Sequence, residues 1–149
     1  MYALIENNAV TQVGELATLF PDTSNPNHAF AVEQGALEVV EGEQKDQRFY
    51  WVTFSHYEVT DGVVTRVYTN TPKAIEDDGE TKGLKSNLIA QAKQNANSQL
   101  AATDWYVIRK AERGVDIPAE VAAKRAEILA ECDAKITSIQ SATTVEELM

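Results

Sequence analysis

Two histidines, one cysteine and one dense run of acids are the groups with chemistry to offer. His28 falls in a stretch rich in Pro and Asn, His56 in a run of aromatic and β-branched residues, and Cys132 on an apolar helical stripe. A nucleophile–base pair or metal centre built from these three would need three distant segments to converge. The chain contains no His-x-x-His or His-Glu-x-x-His pair, no Gly-x-Ser-x-Gly elbow and no Gly-rich phosphate loop. Cys132 therefore reads as a small apolar side chain. The run Glu76-Asp77-Asp78-Gly79-Glu80 carries oxygen ligands of the kind that hold Ca²⁺ or Mg²⁺, but lacks EF-hand spacing. Its composition reads as a solvated linker. No pair of carboxylates stands in an apolar setting that would raise a pKa for acid–base work. The expectation is no catalytic residue, no metal, no cofactor and no enzymatic turnover. A small metal-dependent hydrolase using the acidic run is the alternative of a different class.

Binding chemistry is better represented. Trp105 and Arg109 stand four residues apart in a helical stretch, a spacing that places a guanidinium over an indole. With Tyr106 they form a set of the three residue types that dominate protein interfaces. The same set could instead seal the helical hairpin internally or close its joint with the sheet. Tyr50 and Trp51 are a second candidate contact pair, on a strand.

The elements that carry these residues follow from periodicity and turn chemistry. Residues 2–5 and 10–13 flank Asn7-Asn8, which suits a tight hairpin turn. Residues 14–20 fit one helical turn, 21–26 a loop, 28–35 a short helix ending at Gly35, and 37–40 a short apolar run. Residues 48–60 are dense in Phe, Tyr, Trp, Val and Thr, and Asp61-Gly62 then turns the chain into a returning strand over 63–69. The first of these strands is bulky on both faces, so both call for cover. From about residue 82 the period becomes helical: Leu84, Leu88, Ala92, Ala96 and Leu100, with Val107 beyond. Gly114 stops the helix, and Pro118 with Glu120 starts another whose stripe is Val121, Arg125, Ile128, Cys132, Ile136 and Ile139. The short link folds the helices into an antiparallel hairpin. Thr144 and Glu147 match a capping box.

This is an α+β chain: an N-terminal, mostly antiparallel β module (1–75), an acidic linker (76–82) and a C-terminal antiparallel helical hairpin (83–149). The hairpin's helices are expected over about 83–113 and 118–141, with a short C-terminal turn. At 149 residues the chain is one domain or two small modules. Its net charge of −10 lies wholly in residues 1–80, where four bases face fourteen acids, while residues 81–149 balance nine against nine. That asymmetry supports two modules. An acidic front repels phosphate and anionic lipid, which argues against nucleic-acid and membrane partners, and it serves solubility. One cysteine excludes an intramolecular disulfide and suits a reducing cytoplasm. The first residues lack a secretory pattern, and no apolar run is long enough to span a bilayer. A two-helix hairpin has a single buried seam, worth roughly 1.5–3 kcal/mol per large side chain. Backbone ordering costs about 1–2 kcal/mol per residue. Such a hairpin is expected to dock on the β module, self-associate or pack on another protein.

The segment from Leu100 to Gly114, with Asp104-Trp105 inside it, followed by Ile117-Pro118-Ala119-Glu120-Val121 and Arg125, resembles the C-terminal helical hairpin of tailed-phage proteins associated with tail fibres, including tail fibre assembly chaperones. The opening Met1 to Asn7 and the later Asp61-Gly62-Val63-Val64 are similar to the β modules of such proteins. The resemblance covers about a third of the chain and leaves residues 15–47 unmatched. It implies a role in virion assembly, a trimeric tail fibre as partner, and action in the host cytoplasm, with retention on the virion tail in some relatives. It brings no catalytic residues. Trp105, Tyr106 and Arg109 on the hairpin, with Tyr50 and Trp51 on the sheet, are the expected contacts. A permanent part of the tail, baseplate or fibre is the alternative within the phage setting.

Overall fold

The computed structural model describes residues 1–149 and is a mixed α+β structure of two compact units, Met1–Thr71 and Pro72–Met149. The first unit opens on a hairpin of β1 (Tyr2–Glu6) and β2 (Ala9–Gly14). Asn7 and Asn8 both take positive φ at its turn, the conformation that matches strand twist in a two-residue loop. Register shifts between Leu4 and Ile5, leaving Thr11 as the extra residue of a bulge, and its hydroxyl donates to the Leu4 carbonyl. A single helical turn, α1 (Leu16–Leu19), and a short helix, α2 (His28–Glu33), follow. The Asn27 side chain caps α2 by accepting from the Phe30 amide, and Gly35, at φ +75°, ends it.

The remaining strands are β3 (Leu37–Glu41), β4 (Tyr50–Thr60) and β5 (Val63–Pro72). Asp61 and Gly62, both at positive φ, turn β4 into β5. The sheet runs β2-β1-β3-β5-β4 and curls, with the edge strands β2 and β4 approaching one another. β1 pairs antiparallel with β2 and β3, whereas β3 and β5 are parallel, because β4 intervenes and its hairpin brings β5 back beside β3. Ala3, Leu19, Ala31, Ala36, Phe49, Tyr50 and Val64 are buried in this unit. The cover expected on both faces of β4 is incomplete: Tyr50 is 2% exposed, while Trp51 is 61% and Phe54 46% exposed.

The second unit holds α3 (Leu84–Ala101), α4 (Asp104–Arg113), α5 (Ala119–Ser141) and a closing 3₁₀ turn (Glu146–Leu148). The α3–α5 seam consists of the stripes read from the sequence. Ala96, Leu100 and Ile128 form a buried cluster, and Cys132 packs against it. Arg125 reaches Leu100 and Cys132 reaches Ala92, so α3 and α5 run in opposite directions. At the chain's end Thr144 and Glu147 cap each other, with the Glu147 amide donating to Thr144 Oγ1 and the Thr144 amide to the Glu147 carboxylate.

Two expectations need correction. Residues 76–82 are exposed throughout, but they lie within the second unit rather than between the two units. Together with residues 74 and 75 they supply acceptors at the start of α3: Gly83 N–H donates to Asp77, Leu84 N–H to the Ala74 carbonyl and Lys85 N–H to the Ile75 carbonyl. Nor is there one helix over 83–113. Thr103, at φ −117° and ψ 2°, leaves the helical path, and its hydroxyl and amide both turn back to the Leu100 carbonyl.

Gly83 is where the cap closes. A Cβ there would collide with the carbonyls of Glu76 and Ile75. Gly83→Ala is therefore expected to destabilise the second unit by about 1–3 kcal/mol, read as a lower urea midpoint for the loss of helical signal. An unchanged midpoint would mean the close approach is not needed.

Candidate functional site: the outward helix α4

The helix break determines what the second unit presents. Leu100 would normally give its carbonyl to the amide of residue 104. With the helix interrupted, the carbonyl accepts from the Thr103 amide and hydroxyl instead, and Arg125 of α5 adds a further donor. Its Nη1 donates to the Leu100 carbonyl at 2.9 Å and to Thr103 Oγ1 at 2.6 Å, and its Nη2 sits 2.9 Å from Asp104. One largely buried guanidinium thus ties the end of α3, the break and the first residue of α4 to α5. The planar fork of Arg suits this three-way contact, which a Lys ammonium would not reproduce. The sequence reading placed Arg125 on the apolar stripe without a role. A cation at a seam position was the signal that it had a fixed partner.

Beyond the break, α4 has Asp104 in its first turn and Lys110 and Arg113 in its last, each favourable to the helix dipole. Gly114, at φ +67°, ends it, and Gly114 N–H donates to the Lys110 carbonyl. No residue of α4 is buried. Trp105 is 50% and Ile108 55% exposed, and Val107 is also exposed.

Three of the five expected contact residues come together here. The Trp105 and Tyr106 rings stack with centroids 3.9 Å apart. Arg109 Cζ lies 4.8 Å from the Trp105 centroid and 5.3 Å from that of Tyr106. Tyr106 and Arg109 are half-buried, whereas Trp105 is exposed. Trp105, Ile108, Arg109, Glu112 and Arg113 line an open groove of about 310 Å³. Ile108 and Arg113 were not singled out from the sequence, although their spacing from Trp105 puts them beside it on a helix. In the first unit Trp51 is exposed, but Tyr50 is a core residue with the Lys45 ammonium 4.6 Å from its ring centroid. Tyr50 is therefore removed from the contact set, because alternation along β4 sends it to the opposite face from Trp51.

The groups with catalytic or metal-binding chemistry lie apart. His28 Nδ1 is hydrogen-bonded to the Tyr2 hydroxyl at 2.9 Å, His56 Nδ1 to Ser55 at 3.0 Å, and the Cys132 thiol points at the Ala92 carbonyl 3.7 Å away. No three His, Cys, Asp or Glu side chains are grouped to hold a metal ion. In the acidic run, Asp77 is engaged by the chain itself: Lys82 Nζ at 2.7 Å and the Gly83 amide at 2.9 Å. The Lys82 ammonium first, then the Gly83 amide and the Ser86 hydroxyl, bring its carboxyl down from 3.8 to about 2. No helix is long and apolar enough to cross a membrane. Comparison with known protein families, curated proteins and solved structures finds no match to this chain.

The lowered Asp77 pKa fixes a pH window. The carboxylate's contribution to stability is complete above its ordinary pKa of 3.8 and fades as pH falls through about 2. Asp77→Asn is expected to lower stability at neutral pH and to flatten the pH dependence of unfolding between those two values. Parallel profiles for the variant and the parent would show that the carboxylate contributes nothing to the cap.

Proposed function

We propose that this protein acts by non-covalent binding, as a tailed-phage tail fibre assembly or fibre-associated protein. The observation that carries the binding reading is α4: a helix held clear of the seam, burying none of its own residues, with Trp105 and Ile108 exposed beside an Arg109 already stacked on its rings. Exposed aromatic and Arg anchors set on a rigid element are the pattern of an interface hot spot. The fibre setting rests on the resemblance of the Leu100–Val121 stretch and Arg125 to tail fibre-associated proteins, and α4 is the middle of that stretch. In this role the protein shields apolar surface or unpaired strand edges of a fibre chain until trimerisation buries them. It acts in the host cytoplasm, and its acidic front keeps the complex soluble.

The test is co-expression with the adjacent fibre gene. Co-purification and a gain in soluble trimeric fibre are expected, and Trp105→Ala with Ile108→Ala should cut recovery of the complex at least about tenfold, as for central interface residues. Absence of both complex and soluble fibre would contradict the proposal. Purified virions separate the two phage roles: an assembly factor is substoichiometric there, whereas a permanent tail component is present in fixed proportion.

A further inference from the structure

Charge is unevenly satisfied along the second unit. Lys82, Lys85, Lys110, Lys124 and Arg125 each have a carboxylate within ion-pair distance. Arg109 and Arg113 have none, and neither do Lys93 and Lys135, in a chain where 23 acids outnumber 13 bases; of these four only the two Arg stand on α4. Arg109 is engaged only through its faces on Trp105 and Tyr106, and its buried Nε has no hydrogen-bond partner. Residues 105, 109 and 113 are spaced four apart and form one stripe of α4, with Ile108 and Glu112 next to it. The two guanidiniums without carboxylates therefore share a groove with the most exposed apolar side chains of the helix.

From this charge pattern we infer that α4 binds an acidic peptide segment carrying a large apolar side chain, supplied by the protein partner. The inference deepens the binding reading of α4 and rests on it, but does not depend on the partner being a fibre. The apolar side chain covers Trp105 and Ile108, while carboxylates of the same segment meet Arg109 and Arg113. An Arg held on two rings loses little freedom when it pairs with a carboxylate, and its fork donates to both oxygens. Glu112 is the one lining group that opposes such a ligand. Removing its charge should tighten binding. The net charge of −10 disfavours an anionic membrane as the occupant, since repulsion grows with the extent of the charged surface, while a short segment meets chiefly the local field of α4.

The experiment is fluorescence anisotropy on the full chain with three labelled synthetic peptides of one apolar pattern. Their polar positions carry Glu and Asp, Gln and Asn, or Lys. At low salt the acidic peptide should bind at least about tenfold tighter than the amide version, and added salt should erase most of that margin. Arg113→Gln, at an exposed position, should reduce the margin without affecting the fold. Arg109→Gln with Arg113→Gln should abolish it, and Glu112→Gln should raise affinity. Equal binding of the three peptides, or an acidic preference that survives both Arg substitutions, would overturn the inference. So would occupation of α4 by anionic vesicles, or by a second copy of the chain, with no peptide preference. If fibre co-purification fails while the peptide preference holds, the fibre setting falls and this inference stands. The converse result removes this inference alone.

Discussion

Where α3 stops, the Leu100 carbonyl leaves the regular helical ladder and accepts from the Thr103 amide and hydroxyl, and the Arg125 guanidinium reaches across from α5 to donate to it as well. The same side chain holds Thr103 and Asp104, so the end of one helix, the break and the start of the next are tied to a single group. Without Arg125 the carbonyl would keep its bonds from the Thr103 amide and hydroxyl, but the break would lose its tie to α5, and a hydrogen bond from a charged donor is worth about 1.5–3 kcal/mol. With it, the break is a defined corner. The consequence is that α4 leaves the line of the seam as a formed helix with its apolar and cationic side chains in view.

The seam itself explains why this arrangement is affordable in packing terms. Ala92 and Ala96 are the small buried residues on the α3 side, while Leu100 and Ile128 supply bulk where the break begins. The other end is closed by backbone more than by side chains. Residues 74–77 accept the first amides of α3, and Gly83 is the one residue type that lets them come so near. The two ends of α3 are thus handled by different means. One is capped from its own chain neighbours, and the other is bridged from the opposite helix. The acids of the 76–80 run that looked most like a metal site include Glu76 and Asp77, which pair with Lys85 and Lys82 in this cap.

The regular parts of the chain were legible. Asn7-Asn8 and Asp61-Gly62 specify their turns through positive φ, Gly35 ends α2, and the stripes of α3 and α5 coincide with the seam. Reading failed where tertiary partners override local pattern. The apolar period runs through Thr103 towards Val107, so nothing in it announces a break that depends on Arg125 some twenty residues later. Thr103-Asp104 was the available clue, since both residue types favour helix starts over interiors. The acidic run reads as a linker because a count of charges cannot show that Gly83 lets the chain fold over it. Tyr50 and Trp51 are indistinguishable in composition, and only the sense of the strand decides which is core. The trio Trp105, Tyr106 and Arg109 was found because their contact is local, set by helix spacing alone.

The central claim is that Arg125 holds α4 out as a preformed binding element. Amide hydrogen exchange of the full chain and its Arg125→Met variant, resolved by residue, tests it most directly. The account predicts that exchange accelerates across Asp104–Arg113 in the variant while the α3–α5 seam keeps its protection. Exchange in α4 that is the same in both proteins, or protection lost evenly throughout the second unit, would contradict it.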